Sequence, residues 1–66
     1  MTKVDLHYIK GRRTELKLSM QSVANKLGFK NASTYLKYEN GDYSFKAEQL
    51  PLLASVLKCE IKDFFY

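Results

Sequence analysis

A chain of 66 residues leaves room for one domain, and a hydrophobic content of 45% excludes a disordered polymer. Its single cysteine, Cys59, excludes an intrachain disulfide, and no apolar run reaches the roughly 20 residues that cross a membrane. The net charge is +4, but residues 10–46 carry eight basic and three acidic side chains, or +5, whereas residues 47–66 carry −1. This central positive charge fits a polyanionic partner or serves solubility alone.

The first predicted helix runs from about Asp5, which is a suitable N-cap, to Lys17. Four residues of this helix follow one another at spacings of three or four and therefore share one face: Leu6, Ile9, Arg13 and Leu16. Because Arg13 shares the apolar face, we expect it to be buried. Arg12 is expected to point outward.

The second predicted helix begins after Ser19, a favourable N-cap, and ends at Gly28. Its apolar stripe consists of Met20, Val23, Ala24 and Leu27. A short turn then leads to Asn31, which can cap a third helix over residues 32–39. A glycine and a tight turn between two short helices predict a helix-turn-helix over about residues 19–39.

A fourth helix is predicted over residues 47–57, with Pro51 in its first turn, where the missing N–H costs little. A last short helix is predicted over residues 61–65. Five short helices with short connections predict an all-α bundle.

Four segments of the chain follow a known family pattern, in order and at matching spacing: residues 18–28 (LSMQSVANKLG), 38–41 (YENG), 50–57 and 59–65. Together they resemble the phage repressor and Cro-like helix-turn-helix family. The resemblance implies a compact five-helix lambda-repressor-like bundle and one DNA-binding domain over residues 1–66. The chain departs from the pattern at Met20, where glutamine is common, at Lys58, where glycine is common, and in the turn at residues 29–31, which is one residue longer.

The resemblance also implies that the third helix reads base edges through Ala32, Ser33, Leu36 and Lys37. Lys37 can donate to guanine O6 and N7, and Ser33 can donate or accept. Ala32 either touches a thymine methyl group or only permits close approach. Leu36 either meets a thymine methyl group or, if the register differs by one residue, lies in the core.

Phosphate contacts are implied at helix ends and in the flanking loops, at Ser19, Met20, Gln21, Lys30, Asn31, Asn40 and Lys46. Solubility alone would also explain Lys30 and Lys46. In similar proteins the positions of Arg13 and Glu39 form a buried salt bridge, so these two residues are expected to be structural. Tyr35 and Tyr38 are expected in the core, with base stacking as the alternative.

The function implied is a cytoplasmic, sequence-specific regulator of transcription, either a Cro-like repressor or a small controller protein from a phage or mobile element. Such proteins bind pseudo-palindromic double-stranded operators as homodimers, and we expect this dimer to form through Phe64, Phe65 or Tyr66. The alternative is a protein-interaction module on the same fold, such as an antitoxin, an anti-repressor or an adaptor. The sequence contains no pattern for a metal, a cofactor, a small-molecule substrate or a catalytic nucleophile, so an enzyme is the least expected class.

Overall fold

Four α-helices and a closing 3₁₀ helix make up residues 3–66, the part of the chain that the computed structural model describes. The helices are α1 (Leu6–Glu15), α2 (Met20–Lys26), α3 (Ala32–Glu39), α4 (Gln49–Val56) and the 3₁₀ helix (Ile61–Phe64). The expectation of an all-α fold is met, but the fifth helix is not an α-helix. Phe65 is already extended, at φ −121° and ψ 151°, so the chain leaves the helix after one turn.

The first three helices begin where the sequence places their caps. The side chains of Asp5, Ser19 and Asn31 each accept a hydrogen bond from the N–H three residues later, at 2.9, 3.1 and 3.0 Å. Each bond satisfies one of the N–H groups that have no partner inside the helix. Because these helices are only two to three turns long, such end contacts matter for their position.

All four α-helices end in the same reverse turn, in which an N–H beyond the helix reaches back five residues. The donors are Leu18, Phe29, Asp42 and Cys59, at 2.8 to 3.0 Å. The turn requires a left-handed residue, which is Gly28 (φ +87°) after α2 and Gly41 (φ +91°) after α3. After α1 and α4, however, the position is occupied by Lys17 (φ +59°) and Lys58 (φ +54°), which carry the steric cost of a Cβ atom.

The fourth helix begins two residues later than the apolar pattern predicts. Residues 47–48 form a turn, and the side chain of Gln49 accepts the N–H of Lys46 at 2.7 Å. Pro51 is the third residue of α4, where it interrupts no bond of the helix interior.

One core joins all five elements. Its buried members are Ile9, Val23, Ala24, Leu27, Tyr35, Leu53, Ala54, Leu57 and Phe64. Phe64 is fully buried, so its predicted place in a dimer contact is wrong. Phe65 is half-buried against this core, whereas Tyr66 is 73% exposed.

The two ends of the described chain pair with each other as short antiparallel segments. Lys3 and Tyr66 exchange two backbone hydrogen bonds of 3.0 Å, and Val4 forms a bridge with Phe65. This pairing was not predicted from the sequence. It holds the segment that carries Phe64 against the start of α1.

Replacement of Lys58 by glycine is expected to raise the free energy of unfolding by about 0.5–1 kcal/mol, because the left-handed strain of a Cβ residue exceeds the backbone entropy of glycine. The same change at Lys30, which does not have a positive φ, is the matched control and is expected to bring no gain. Thermal and urea unfolding of both variants would test this. Equal stability of the Lys58→Gly and parent proteins would contradict it.

Candidate nucleic-acid interface

The third helix has a buried side and an exposed side. Tyr35 is fully buried and Glu39 is 4% exposed, so this side is anchored in the domain. The predicted base-reading residues lie elsewhere on the helix: Ser33 and Lys37 are exposed, and Ala32 and Leu36 are half-buried. Leu36 lies outside the cluster of buried residues that forms the core. Ser33 and Lys37 are therefore accessible to a partner.

The start of α3 is organised around the side chain of Asn31. Its Oδ1 accepts the Thr34 N–H at 3.0 Å, the Thr34 hydroxyl at 3.0 Å and the Ser33 hydroxyl at 2.8 Å. Because the Ser33 hydroxyl donates to Asn31, its oxygen remains free to accept a bond from outside.

Gln21 joins the starts of α2 and α3. Its Oε1 accepts the N–H of Ala32 at 3.3 Å, while its Nε2 donates to Asn25 Oδ1 at 2.8 Å. The exposed Gln21 side chain therefore bonds both to its own helix and to the start of α3. Of its neighbours, Ser19 is exposed, and Met20 is half-buried with its side chain against the core.

Five aromatic residues of α3 and of the segments on either side of it form a cluster, here called the aromatic cluster: Phe29, Tyr35, Tyr38, Tyr43 and Phe45. Tyr38 lies at its centre, stacked on Phe29 with ring centroids 4.9 Å apart. On its other sides Tyr38 meets Phe45 at 5.4 Å and the edge of Tyr43 at 5.5 Å. Tyr38 thus connects α3 with both the turn before it and the loop after it.

The lysines predicted to face DNA are exposed, and Lys30, Lys37 and Lys46 form no ion pair within residues 3–66. Asn31 and Asn40, at the two ends of α3, are exposed as well. The three lysine ammonium groups are therefore available to an external anion such as a phosphate.

A buried ion pair connects α1 to the end of α3. Arg13 Nε lies 2.9 Å from Glu39 Oε2, and Arg13 Nη2 lies 3.0 Å from Glu39 Oε1, so the contact has two parallel bonds. The remaining Nη1 donates to the carbonyl of Leu18 at 3.0 Å. Hydrogen bonding to Glu39 raises the pKa of the Arg13 guanidinium, and burial partly opposes this. The bound carboxylate sits one turn after Tyr35 and fixes the C-terminal end of α3.

The hydroxyl of Tyr35 is buried beside this ion pair and has no hydrogen-bond partner among the described residues. Burial, and next to it the neighbouring Glu39 carboxylate, raises the pKa of Tyr35. The tyrosine is therefore neutral at physiological pH, and its ring supplies the packing while its hydroxyl is left unpaired.

Arg12 does not point outward as predicted. Its Nε donates to the carbonyl of Leu57 at 2.9 Å and its Nη2 to that of Lys58 at 3.1 Å, at the C-terminal end of α4. A third bond joins Nη1 to Glu15 at 2.6 Å. The last carbonyls of a helix lack partners inside it and attract cations, which is why a residue outside the apolar stripe is drawn across to α4.

Two further residues have no role at this surface. His7 is exposed and Cys59 is half-buried, where burial raises the pKa of its thiol. Residues 3–66 contain no group of three or more metal-ligating side chains placed to share an ion. None of the helices described is long and apolar enough to pass through a bilayer.

Sequence reasoning missed Tyr43, which lies in the loop after α3 with the Lys37 ammonium 5.6 Å from its ring centroid. It also missed the bonds of Gln21 and Arg12 to other helices. These contacts join segments that are 11 to 46 residues apart, or a helix and a loop, so no periodicity in the chain signals them.

Comparison with known families identifies the chain as a helix-turn-helix protein. A family model described as helix-turn-helix matches residues 9–64, a range that begins in α1 and includes the 3₁₀ helix. No curated protein and no solved structure matches the chain.

Arg13→Ala is expected to lower the free energy of unfolding by about 3 kcal/mol, because it leaves the Glu39 carboxylate buried without its partner. Arg12→Ala removes a more exposed side chain and is expected to cost less. The double variant Arg13→Met, Glu39→Leu removes both charges and is expected to lose less stability than Arg13→Ala alone. Urea unfolding of the four proteins measures this order. A double variant with a lower free energy of unfolding than Arg13→Ala would contradict this explanation.

Proposed function

Because the chain belongs to the phage repressor and Cro-like helix-turn-helix family, we propose that it is a sequence-specific regulator of transcription that lays α3 in the major groove of double-stranded DNA. Within this class we propose a Cro-like repressor or a small controller protein of a phage or mobile element. The observation that carries the proposal is the exposed side of α3, which presents Ser33 and Lys37 while Tyr35 and Glu39 anchor the helix.

The proposed base contacts follow from the chemistry of the exposed side. Lys37 donates to the acceptors of guanine. Ser33 accepts from an exocyclic amine of adenine or cytosine, since its own proton is directed to Asn31. Ala32 and Leu36 are half-buried and offer methyl groups to a thymine.

The proposed phosphate contacts surround this surface. Lys30 and Lys46 supply charge from the turn and the loop, and Ser19, Asn31 and Asn40 supply polar groups at helix ends. The Met20 side chain packs against the core, and the exposed Gln21 side chain bonds to Asn25 and to the Ala32 N–H, so we assign the phosphate contacts of these two residues to their backbone N–H groups. Such contacts set affinity and orientation but carry no sequence information.

We further propose that the chain acts as a homodimer on a pseudo-palindromic operator, joined through its C-terminal third. Residues 47–66 carry a net charge of −1 and expose the apolar side chains of Leu52, Ile61 and Tyr66. A contact there leaves both copies of α3 free to enter successive major grooves, about 34 Å apart. The same exposed side chains would serve an adaptor that binds another protein, so duplex binding is the property that separates the two functions.

Selection of duplexes from a random pool, followed by footprinting, tests the proposal. We expect a pseudo-palindromic consensus whose affinity falls steeply with salt, because bound phosphates release their counterions. Recovery of no preferred duplex at low salt would contradict the regulator and favour the adaptor.

On the selected duplex, Lys37→Ala is expected to remove the preference for one base pair, a loss of about 1–3 kcal/mol in discrimination. Lys30→Ala, a matched change in the turn, is expected to weaken all duplexes alike and to lower the salt slope by about 1. Titrations over a set of single-base variants measure both effects. A uniform loss in Lys37→Ala would show that Lys37 contacts phosphate instead.

Tyr66→Ser is expected to shift the protein towards the monomer, because it removes the most exposed of the C-terminal aromatic rings while its backbone bonds to Lys3 remain. Sedimentation over a concentration series measures the equilibrium, and Leu52→Ser on α4 is the matched comparison. A dimer lost only in Leu52→Ser would place the contact on α4. A monomer at every concentration, free and on DNA, would contradict the dimer.

A further inference from the structure

Tyr43 is an exposed aromatic residue directly beyond α3, with 49% of its surface accessible. Its ring meets that of Tyr38 edge-on, at a centroid distance of 5.5 Å and an angle of 69°. Tyr38 is in turn stacked on Phe29 and packed on Phe45. The Tyr43 ring is therefore supported on one side by the other rings of the aromatic cluster and is open to solvent on another side.

The ammonium of Lys37 lies over this open ring, 5.6 Å from its centroid. That distance is within the range in which the negative face of an aromatic ring attracts a cation. Asp42 is next to Tyr43 in the loop, yet it forms no ion pair with Lys37 in the described structure. The ring, and not a carboxylate, is therefore the group that orients the ammonium.

A lysine side chain carries a point charge on four flexible carbons, so on its own it contacts many acceptors almost equally well. The Tyr43 ring, which packs against Tyr38, restricts the directions in which the Lys37 ammonium can lie. A restricted cation loses less entropy when it meets one particular acceptor, and it reaches others less easily.

We infer that Tyr43 is a positioning residue for Lys37, and that its ring makes the Lys37 contact selective for one base pair. The inference rests on the proposed function, since it needs Lys37 to face a base. It assigns the aromatic face of Tyr43, not its hydroxyl, as the active part. Tyr43 lies outside the buried core, so its substitution opens no cavity there.

The test is a double-mutant cycle between position 43 and position 37 on the selected duplex and its single-base variants. Tyr43→Leu removes the ring and keeps an apolar side chain, Tyr43→Phe keeps the ring, and His7→Leu is a matched removal of another exposed ring, on α1. We expect Tyr43→Leu to reduce discrimination at one base pair about two- to fivefold. Tyr43→Phe and His7→Leu are expected to keep the parent's discrimination, and Tyr43→Leu is expected to have no effect in the Lys37→Ala background.

An equal effect of Tyr43→Leu in both backgrounds would overturn the inference, because Tyr43 would then act independently of Lys37. Loss of discrimination in Tyr43→Phe would overturn it as well, by assigning the effect to the hydroxyl. A protein that binds no duplex would instead overturn the proposed function, and the inference with it.

The free protein gives a second readout that needs no DNA. The ε-methylene protons of Lys37 are expected to resonate upfield in the parent and in Tyr43→Phe, because the ring current shields them, and to return to the ordinary value in Tyr43→Leu. Unshifted protons in the parent protein would overturn the inference, even if duplex binding is observed.

Discussion

The guanidinium of Arg13 meets the carboxylate of Glu39 inside the domain, and the position of α3 depends on this contact. The pair joins the first helix to the last turn of the third, and its third donor also holds Leu18 before α2 begins. One arginine thus connects α1, the end of α3 and the segment that leads into α2. In a chain with so little interior, a buried charge is tolerated because each of these bonds is made.

The aromatic cluster includes Tyr35, whose hydroxyl lies beside this ion pair, and it completes the support of α3. A helix of eight residues, about two turns, cannot stand alone in water, so α3 needs contacts along its whole length. Asn31 secures its start, Tyr38 its middle and Glu39 its end. The exposed side of α3 contributes little to the core, so substitutions there are expected to change stability by only a few tenths of a kcal/mol.

The parts of the fold that follow from short stretches of sequence were predictable. The cap at Asn31 and the stop at Gly28 depend on neighbours within a few residues, and both are found as expected. The parts that depend on distant segments were not. The reach of Arg12 to α4 and the burial of Phe64 arise from how helices pack, which no local spacing encodes. The Arg13–Glu39 pair could be predicted only because the family resemblance named both partners, since the apolar face of α1 indicated the burial of Arg13 alone.

The pairing of the chain ends has a mechanical consequence. Because Lys3 lies opposite Tyr66, a force that pulls the two ends apart loads their hydrogen bonds one after another, like a zipper, and not all at once. The bridge between Val4 and Phe65 would be loaded next, and the residue before Phe65 in the chain, Phe64, is fully buried in the core. The domain would therefore yield to tension from its ends at low force, and opening there would expose the core before the helices themselves are stretched.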